Sequence, residues 1–332
     1  MKAHPYIVVV VVVVAIALLC VGASLVLGRY GAYLVHTVAI AAIGALSLNL
    51  LIGYCGQISF AHGALLGVGA YTAGNLGNAG GDLLSVLGAG IAASLVSILI
   101  GLPAMRLRGL YFAIATLAAQ AILEYLFKIL EPLTNGVSGL LVKPLTIFGF
   151  AVTTDQGYAA LAIMCLAITW LVLSWLMRTN LGRAFLVVRE SEIVARGMGI
   201  DVGYTKMLAF AISGFFVGIA GALMGFAARL AHPEAFGLSL SVDYTAMIIV
   251  GGLGSQIGSL IGAAFVTLLP EFIQRTGEFL HIADLTFAIR ELVFGILIIV
   301  FLVFEPRGLA ALVSRLRFGR FRKADAVRGR PA

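Results

Sequence analysis

Charge is what this chain has least of: of its 332 residues only 11% are Asp, Glu, Lys or Arg, while 61% are hydrophobic. Soluble domains carry about a quarter charged residues, so this chain cannot cover a water-facing surface and a soluble enzyme is excluded. Cysteine is scarce too. Cys20, Cys55 and Cys165 all lie in apolar runs, which excludes a disulfide-stapled secreted module and leaves three small buried hydrophobes. The 40 glycines follow no three-residue period and the apolar content is far above that of a disordered chain, so collagen and disorder are excluded as well. The alternating ten-residue strands of an outer-membrane barrel are absent.

Reactive motifs are equally thin. None of the five lysines (Lys2, Lys128, Lys143, Lys206 and Lys323) follows a Gly or precedes a Ser or Thr, so there is no phosphate-binding P-loop. His4, His36, His62, His232 and His281 are scattered, with no HExxH and no Cys/His spacing suited to a metal. No catalytic residue, cofactor or metal site is expected. Of the acidic residues only Glu124 reads as lying well inside an apolar run, with Lys128 at i+4 as its expected partner near the outer interface.

What the chain does have is long apolar segments, at about 6–27, 33–52, 58–76, 83–105, 109–130, 158–177, 207–228, 242–257, 259–273 and 285–304. A span needs roughly 20 apolar residues. The expected fold is therefore all-α and polytopic, with 8–10 transmembrane helices, the third, eighth and ninth segments being short or Gly-broken. Tyr6 to Leu27 is longer than the core of a cleavable signal and reads as a retained first span. Basic residues set the orientation. Lys2, Arg106, Arg108, the five from Arg178 to Lys206 and the eight from Arg307 to Arg330 fall on one side, 16 of the 22. That side is expected to be cytoplasmic and to hold both termini. Residues 1–304 read as one membrane domain and 305–332 as a basic tail that meets anionic lipid rather than nucleic acid.

Two features rise above this background. In GYCGQISFAHGALLGVGAYTAG (53–74) and GGLGSQIGS (251–259), glycines interrupt a hydrophobic segment in each half of the chain. Interrupted segments point to a transporter's solute path, because unwound backbone is tolerated only where it lines a cavity or is buried in protein. Gly53, Gly56, Gln57, Ser59, His62, Gly251, Gly254 and Gln256 are accordingly the candidate pathway residues. The other feature is the stretch 178–206, where eight charges of mixed sign surround Leu186, Ile193 and Val194, and Gly197 and Gly199 follow. This pattern predicts a short amphipathic helix over 183–200 that docks a protein partner.

The strings GYCGQISFAHGALLGVGAYTAG, RGLYFAIATLAAQAILEYLF with LTNGVSGL, RTNLGRAFLVVRESEIVARGMGIDVGYTKMLAFAISG, IIVGGLGSQIGSLIGAAFV and RELVFGILIIVFLVFEPRGL, in that order, resemble the permease subunits of branched-chain amino acid ABC importers, nearest the LivM type. The resemblance covers about residues 40–310. It implies an inner-membrane importer in which a second permease of LivH type, two ATP-binding subunits and a periplasmic substrate-binding protein are partners. It also implies that 178–206 is the loop that couples to the ATPase, through Arg183, Arg189, Glu192, Ala195 and Gly199. Ala195 and Gly199 match the spacing of the permease loop motif, whereas its Glu is displaced to Glu192. Asn135-Gly136 stands where the family usually has Gly-Gly. The expected function is translocation of branched-chain or related amino acids by alternating access. The alternatives are a urea or short-amide permease of the same group and an ion-coupled secondary carrier.

Overall fold

The structure, a computed structural model, describes residues 28–80, 83–107, 109–147, 150–279, 295–296 and 309. The first and last expected spans and the basic tail lie outside the described residues, apart from those three isolated positions. Among the described residues, ten α-helices of six residues or more carry the fold. Helix α1 (Gly28–Asn49) runs on through a π-helical turn, Leu50–Tyr54, and is followed by irregular chain over 55–61. Then come α2 (His62–Asn78), α3 (Leu83–Gly101), α4 (Leu110–Ile129) and α5 (Asp155–Leu176). Two short helices, α6 (Asn180–Glu190) and α7 (Glu192–Gly197), lead into α8 (Val202–Ala228), α9 (Leu238–Gly251) and α10 (Gln256–Phe279).

Seven of the described helical stretches are long and apolar enough to cross a membrane, in agreement with the expected all-α polytopic class. Helix α2 is shorter, at 17 residues. Strand content among the described residues is limited to two-residue pairings, β1 (Leu140–Leu141) with β4 (Leu230–Ala231) and β2 (Thr146–Ile147) with β3 (Phe150–Ala151), both antiparallel. These pairs stitch together loops at one end of the bundle. The 102–107, 177–201 and 252–255 connections lie at the other end, where 55–61 also begins.

Helix α8 is the hub because its glycines let neighbouring backbones come close, the way helices associate where apolar burial gives no driving force. A methyl on Gly218 would lie 2.6 Å from the Ala93 side chain and 2.9 Å from the Gly90 backbone of α3, and one on Gly221 would lie 2.8 Å from the Leu66 backbone of α2. Serine hydroxyls fasten the same contacts. Ser97 donates to the Phe210 carbonyl, Ser94 to that of Ala211 and Ser213 to that of Ser47, each at 2.8 Å. Asn135 adopts the left-handed conformation (φ 58°) that glycine usually supplies, and its amide donates to the Gly139 carbonyl at 3.0 Å. The Asn135-Gly136 departure is thus accommodated locally.

Candidate functional site

The first glycine break folds as a stretch of irregular chain laid back along the bundle. Burial alternates along it: Cys55, Gln57, Ser59 and Ala61 are buried while Gly56 and Ile58 are exposed, the period of a strand. Helix α2 therefore starts well inside the protein. The His62 ring lies against the Gly44 backbone and 5.0 Å from the Tyr244 ring. Gly44 is ten residues before Tyr54, so at 1.5 Å per residue α2 begins about 15 Å in from the end of α1, roughly half of a hydrocarbon core.

A buried polar layer surrounds this start. The Gly63 amide donates to the Ser241 hydroxyl at 2.7 Å and the Ala64 amide to Gln120 Oε1 at 2.8 Å, so side chains from α9 and α4 take the orphan donors of the helix terminus. Gln120 also donates to the Phe236 carbonyl, and Thr116 accepts from the Phe60 amide at 3.0 Å. His62 is only 2% exposed, and its Nε2 has no hydrogen-bond partner among the described residues.

The second break is a tight turn between α9 and α10, and it meets the first. Asn49, buried in α1, donates to the Ser255 carbonyl (2.9 Å) and the Ser259 hydroxyl (2.6 Å), and accepts from the Gly254 amide (2.9 Å). A methyl on Gly53 would sit 2.5 Å from the Gly254 nitrogen, and one on Gly258 would sit 2.9 Å from the Gly251 carbonyl carbon. Neither glycine admits a side chain without displacing backbone. Gln256 accepts from Ser174 of α5 at 2.6 Å. The eight candidate pathway residues thus divide: Gln57, Ser59 and His62 belong to the interior layer and its approach, whereas Gly53, Gly56, Gly251, Gly254 and Gln256 form a junction at the end of the bundle.

That junction carries the 177–201 segment. The single helix expected over 183–200 is two helices, because Ser191 leaves helical geometry (φ −162°, ψ 117°) and caps α7 through its hydroxyl. Phe185, Val188 and Ala195 are buried against the bundle, while Leu186, Ile193, Val194 and Met198 are exposed, Ile193 by 78%. Ala195 therefore supports the segment from beneath, and Arg183 is turned onto Asn180 of its own helix. Arg189 reaches the junction: its guanidinium donates to the Gly53 carbonyl, and its stem runs under Gly56, whose added methyl would lie 3.1 Å from Cγ. Glu192 pairs with Lys206 of α8 at 2.7 Å, with Lys206 only 2% exposed, and lies 4.0 Å from Arg196. Gly199 (φ 78°) ends the segment with open space around it.

At the opposite end of the bundle lies a cavity of about 1040 Å³ between α1, α8, α9 and α10. Tyr33, His36, Thr37, Asp243, Tyr244 and Thr267 supply its polar lining. His36 Nδ1 and Thr267 Oγ1 are buried without a hydrogen-bond partner among the described residues. Sequence reasoning missed this cavity. Asp243, inside α9, and Glu271, inside α10, add carboxylates to Glu124 within the spans, and Asp243 stood in the sequence at the edge of an apolar run. Tyr244 belongs to both regions, since it lines the cavity and packs on His62. Glu124 and Lys128 pair at 3.5 Å, partly exposed, as their spacing implied. No group of three or more His, Cys, Asp or Glu suited to a metal occurs among the described residues.

The profile of the family described as "Branched-chain amino acid transport system / permease component" matches residues 30–302. The chain is 28% identical over 293 residues to "High-affinity branched-chain amino acid transport system permease protein LivM" of Escherichia coli, an alignment covering 80% of this chain and 66% of that protein, just under two thirds. It is 32% identical over 133 residues to "Autoinducer 2 import system permease protein LsrC" of Klebsiella pneumoniae, covering 38% of this chain and 37% of that one. Over 98 residues it is 33% identical to "Probable branched-chain amino acid transport permease protein LivH" of Methanocaldococcus jannaschii, covering 30% of each. No solved structure matches the chain.

Proposed function

Because the chain belongs to the family of branched-chain amino acid transport system permease components, we propose that it is the membrane-spanning subunit of an ATP-driven importer for branched-chain or related amino acids. It resides in the inner membrane with both termini cytoplasmic, beside a second permease and two ATP-binding subunits, and receives its solute from a periplasmic binding protein. The observation that carries this reading is the buried start of α2. A helix that begins about half-way through the bundle, ringed by Thr116, Gln120, Ser241 and His62, offers a zwitterion hydrogen-bonding groups without a full charge in the bilayer. Tyr244 stands between the opposite cavity and this layer, as the divider a solute would pass. A scaffold without a pathway has no need for such an interruption.

The exposed apolar residues Leu186, Ile193, Val194 and Met198 are the surface proposed to receive the ATPase. A helix that merely lies on lipid shows a basic polar face, whereas Arg189, Glu190, Glu192 and Arg196 mix both signs here. The test is reconstitution of the permease pair with its ATPases and binding protein in liposomes. Leucine uptake should require ATP inside, withstand protonophores and be competed by valine rather than urea. Uptake driven by an ion gradient alone would establish the secondary carrier instead. Cysteines at Ile193 and Thr154 test orientation: in intact cells only the one at 154 should react with an impermeant thiol reagent.

A further inference from the structure

Helix α1 ends where Gly53 leaves a carbonyl without an intrahelical partner, and helix C-termini carry partial negative charge. A cation is the natural cap for that position. Arg189 supplies it from a different element: its guanidinium donates to the Gly53 carbonyl, while a methyl on Gly254 would lie 3.0 Å from the same Nη1. Gly56 (φ 72°) and Gly254 (φ 78°) have backbone conformations that side chains rarely adopt, and both lie directly against Arg189. Asn49 completes the arrangement by fixing the α9–α10 turn to α1 through three hydrogen bonds. One side chain from the short helices therefore touches both glycine breaks, which are themselves bound to each other.

We infer that Arg189 is a positioning residue that ties helices α6 and α7 rigidly to both interrupted segments, so that a displacement of those helices moves the ends of α1, α9 and α10 as one body. This rests on the reading of 177–201 as the surface that meets the ATPase. The second attachment of these helices, Glu192 to Lys206, leads to α8 instead. The two anchors thus grip different parts of the bundle, and Arg189 is the one that reaches the breaks. Lysine can still donate to the Gly53 carbonyl, but it lacks the planar guanidinium.

The test uses the full complex, with the native cysteines replaced by alanine and spin labels at Leu181 on α6 and Leu253 in the α9–α10 turn, both exposed. The distance between the labels should be single, narrow and unchanged between nucleotide-free and vanadate-trapped complexes. In Arg189→Ala it should broaden or shift, and uptake per ATP hydrolysed should fall roughly tenfold. Arg189→Lys should recover part of both. A label distance that changes between states in the unsubstituted chain, or that stays narrow in Arg189→Ala, overturns the inference. Because the distance is read without any transport, it judges the tether even if Arg189→Ala assembles poorly, in which case the unsubstituted chain and Arg189→Lys decide. Loss of ATP-dependent uptake in the unsubstituted complex would instead sink the functional reading and leave the distances standing.

Discussion

The junction at Gly53 and Gly254 and the layer around His62 are built from the same materials, a glycine break and a few buried polar side chains, yet they are finished differently. At the junction all of the Asn49 amide's donors and its oxygen are engaged, and Arg189 caps the exposed carbonyl. Around His62 and in the neighbouring cavity, His62 Nε2, His36 Nδ1 and Thr267 Oγ1 lie buried with no protein partner among the described residues. A buried polar network that is fully satisfied rigidifies its surroundings, whereas one left partly unsatisfied is held at a cost in stability. The first is suited to transmitting displacement. The second is suited to accepting a visitor with hydrogen-bonding groups of its own.

Substitutions at five positions break or sharpen that contrast. Asn49→Leu should be the most damaging, since it orphans the Gly254 amide and takes one hydrogen bond each from the Ser255 carbonyl and the Ser259 hydroxyl, which stay bonded to each other, at about 4 kcal/mol in all. A large drop in thermal unfolding temperature in detergent checks it. Glu192→Gln comes next, at about 3 kcal/mol, because it removes the carboxylate facing an ammonium that is almost wholly buried. Lys206→Met should cost clearly less, since the carboxylate it leaves keeps Arg196 within 4.0 Å. The same thermal melts, run on both variants, test this inequality.

Gly199→Ala should cost about 1 kcal/mol from backbone strain alone, since nothing crowds the position. Gly199→Asn, which tolerates that conformation, should recover most of the loss. The smallest effect on stability is expected at His62→Leu, within about 1 kcal/mol of the unsubstituted chain, because the lost contact of the ring with the Gly44 backbone is offset by removal of a buried Nε2 that has no partner among the described residues. Its uptake rate should nevertheless fall several-fold. A His62→Leu protein that melts early but transports normally would reverse the comparison and make the layer a structural element.

Much of this arrangement was legible in the amino-acid order. Apolar runs placed the described spans to within a few residues, the two glycine clusters marked both breaks, and the i, i+4 spacing of Glu124 and Lys128 foretold their pairing. The meeting of the breaks was not legible. Gly53 and Gly254 are joined by Asn49, whose amide looks incidental within an apolar run until its partners 205 and more residues away are known. Arg189 was identifiable as charged and loop-borne, but a backbone carbonyl as its partner leaves no complementary side chain to search for. The division of 183–200 at Ser191 did have a local sign, a serine three residues before the amide it caps. The depth of His62 followed from the non-helical course of 55–61, where alternating burial was masked by the uniform apolarity around it.

The length of α8 has a consequence for where the short helices stand. Gly101, the last residue of α3, packs against Phe210, with 2.7 Å from its added methyl to the ring, so residues 202–209 continue beyond the end of that neighbour. Two turns of helix extend it by about 12 Å. Helix α3 has 19 residues, about 28 Å, which nearly matches a hydrocarbon core, whereas the 27 residues of α8 make about 40 Å and exceed it. The excess works as a pedestal. It sets the start of α8, and with it the segment that carries α6 and α7, about 12 Å past the end of α3.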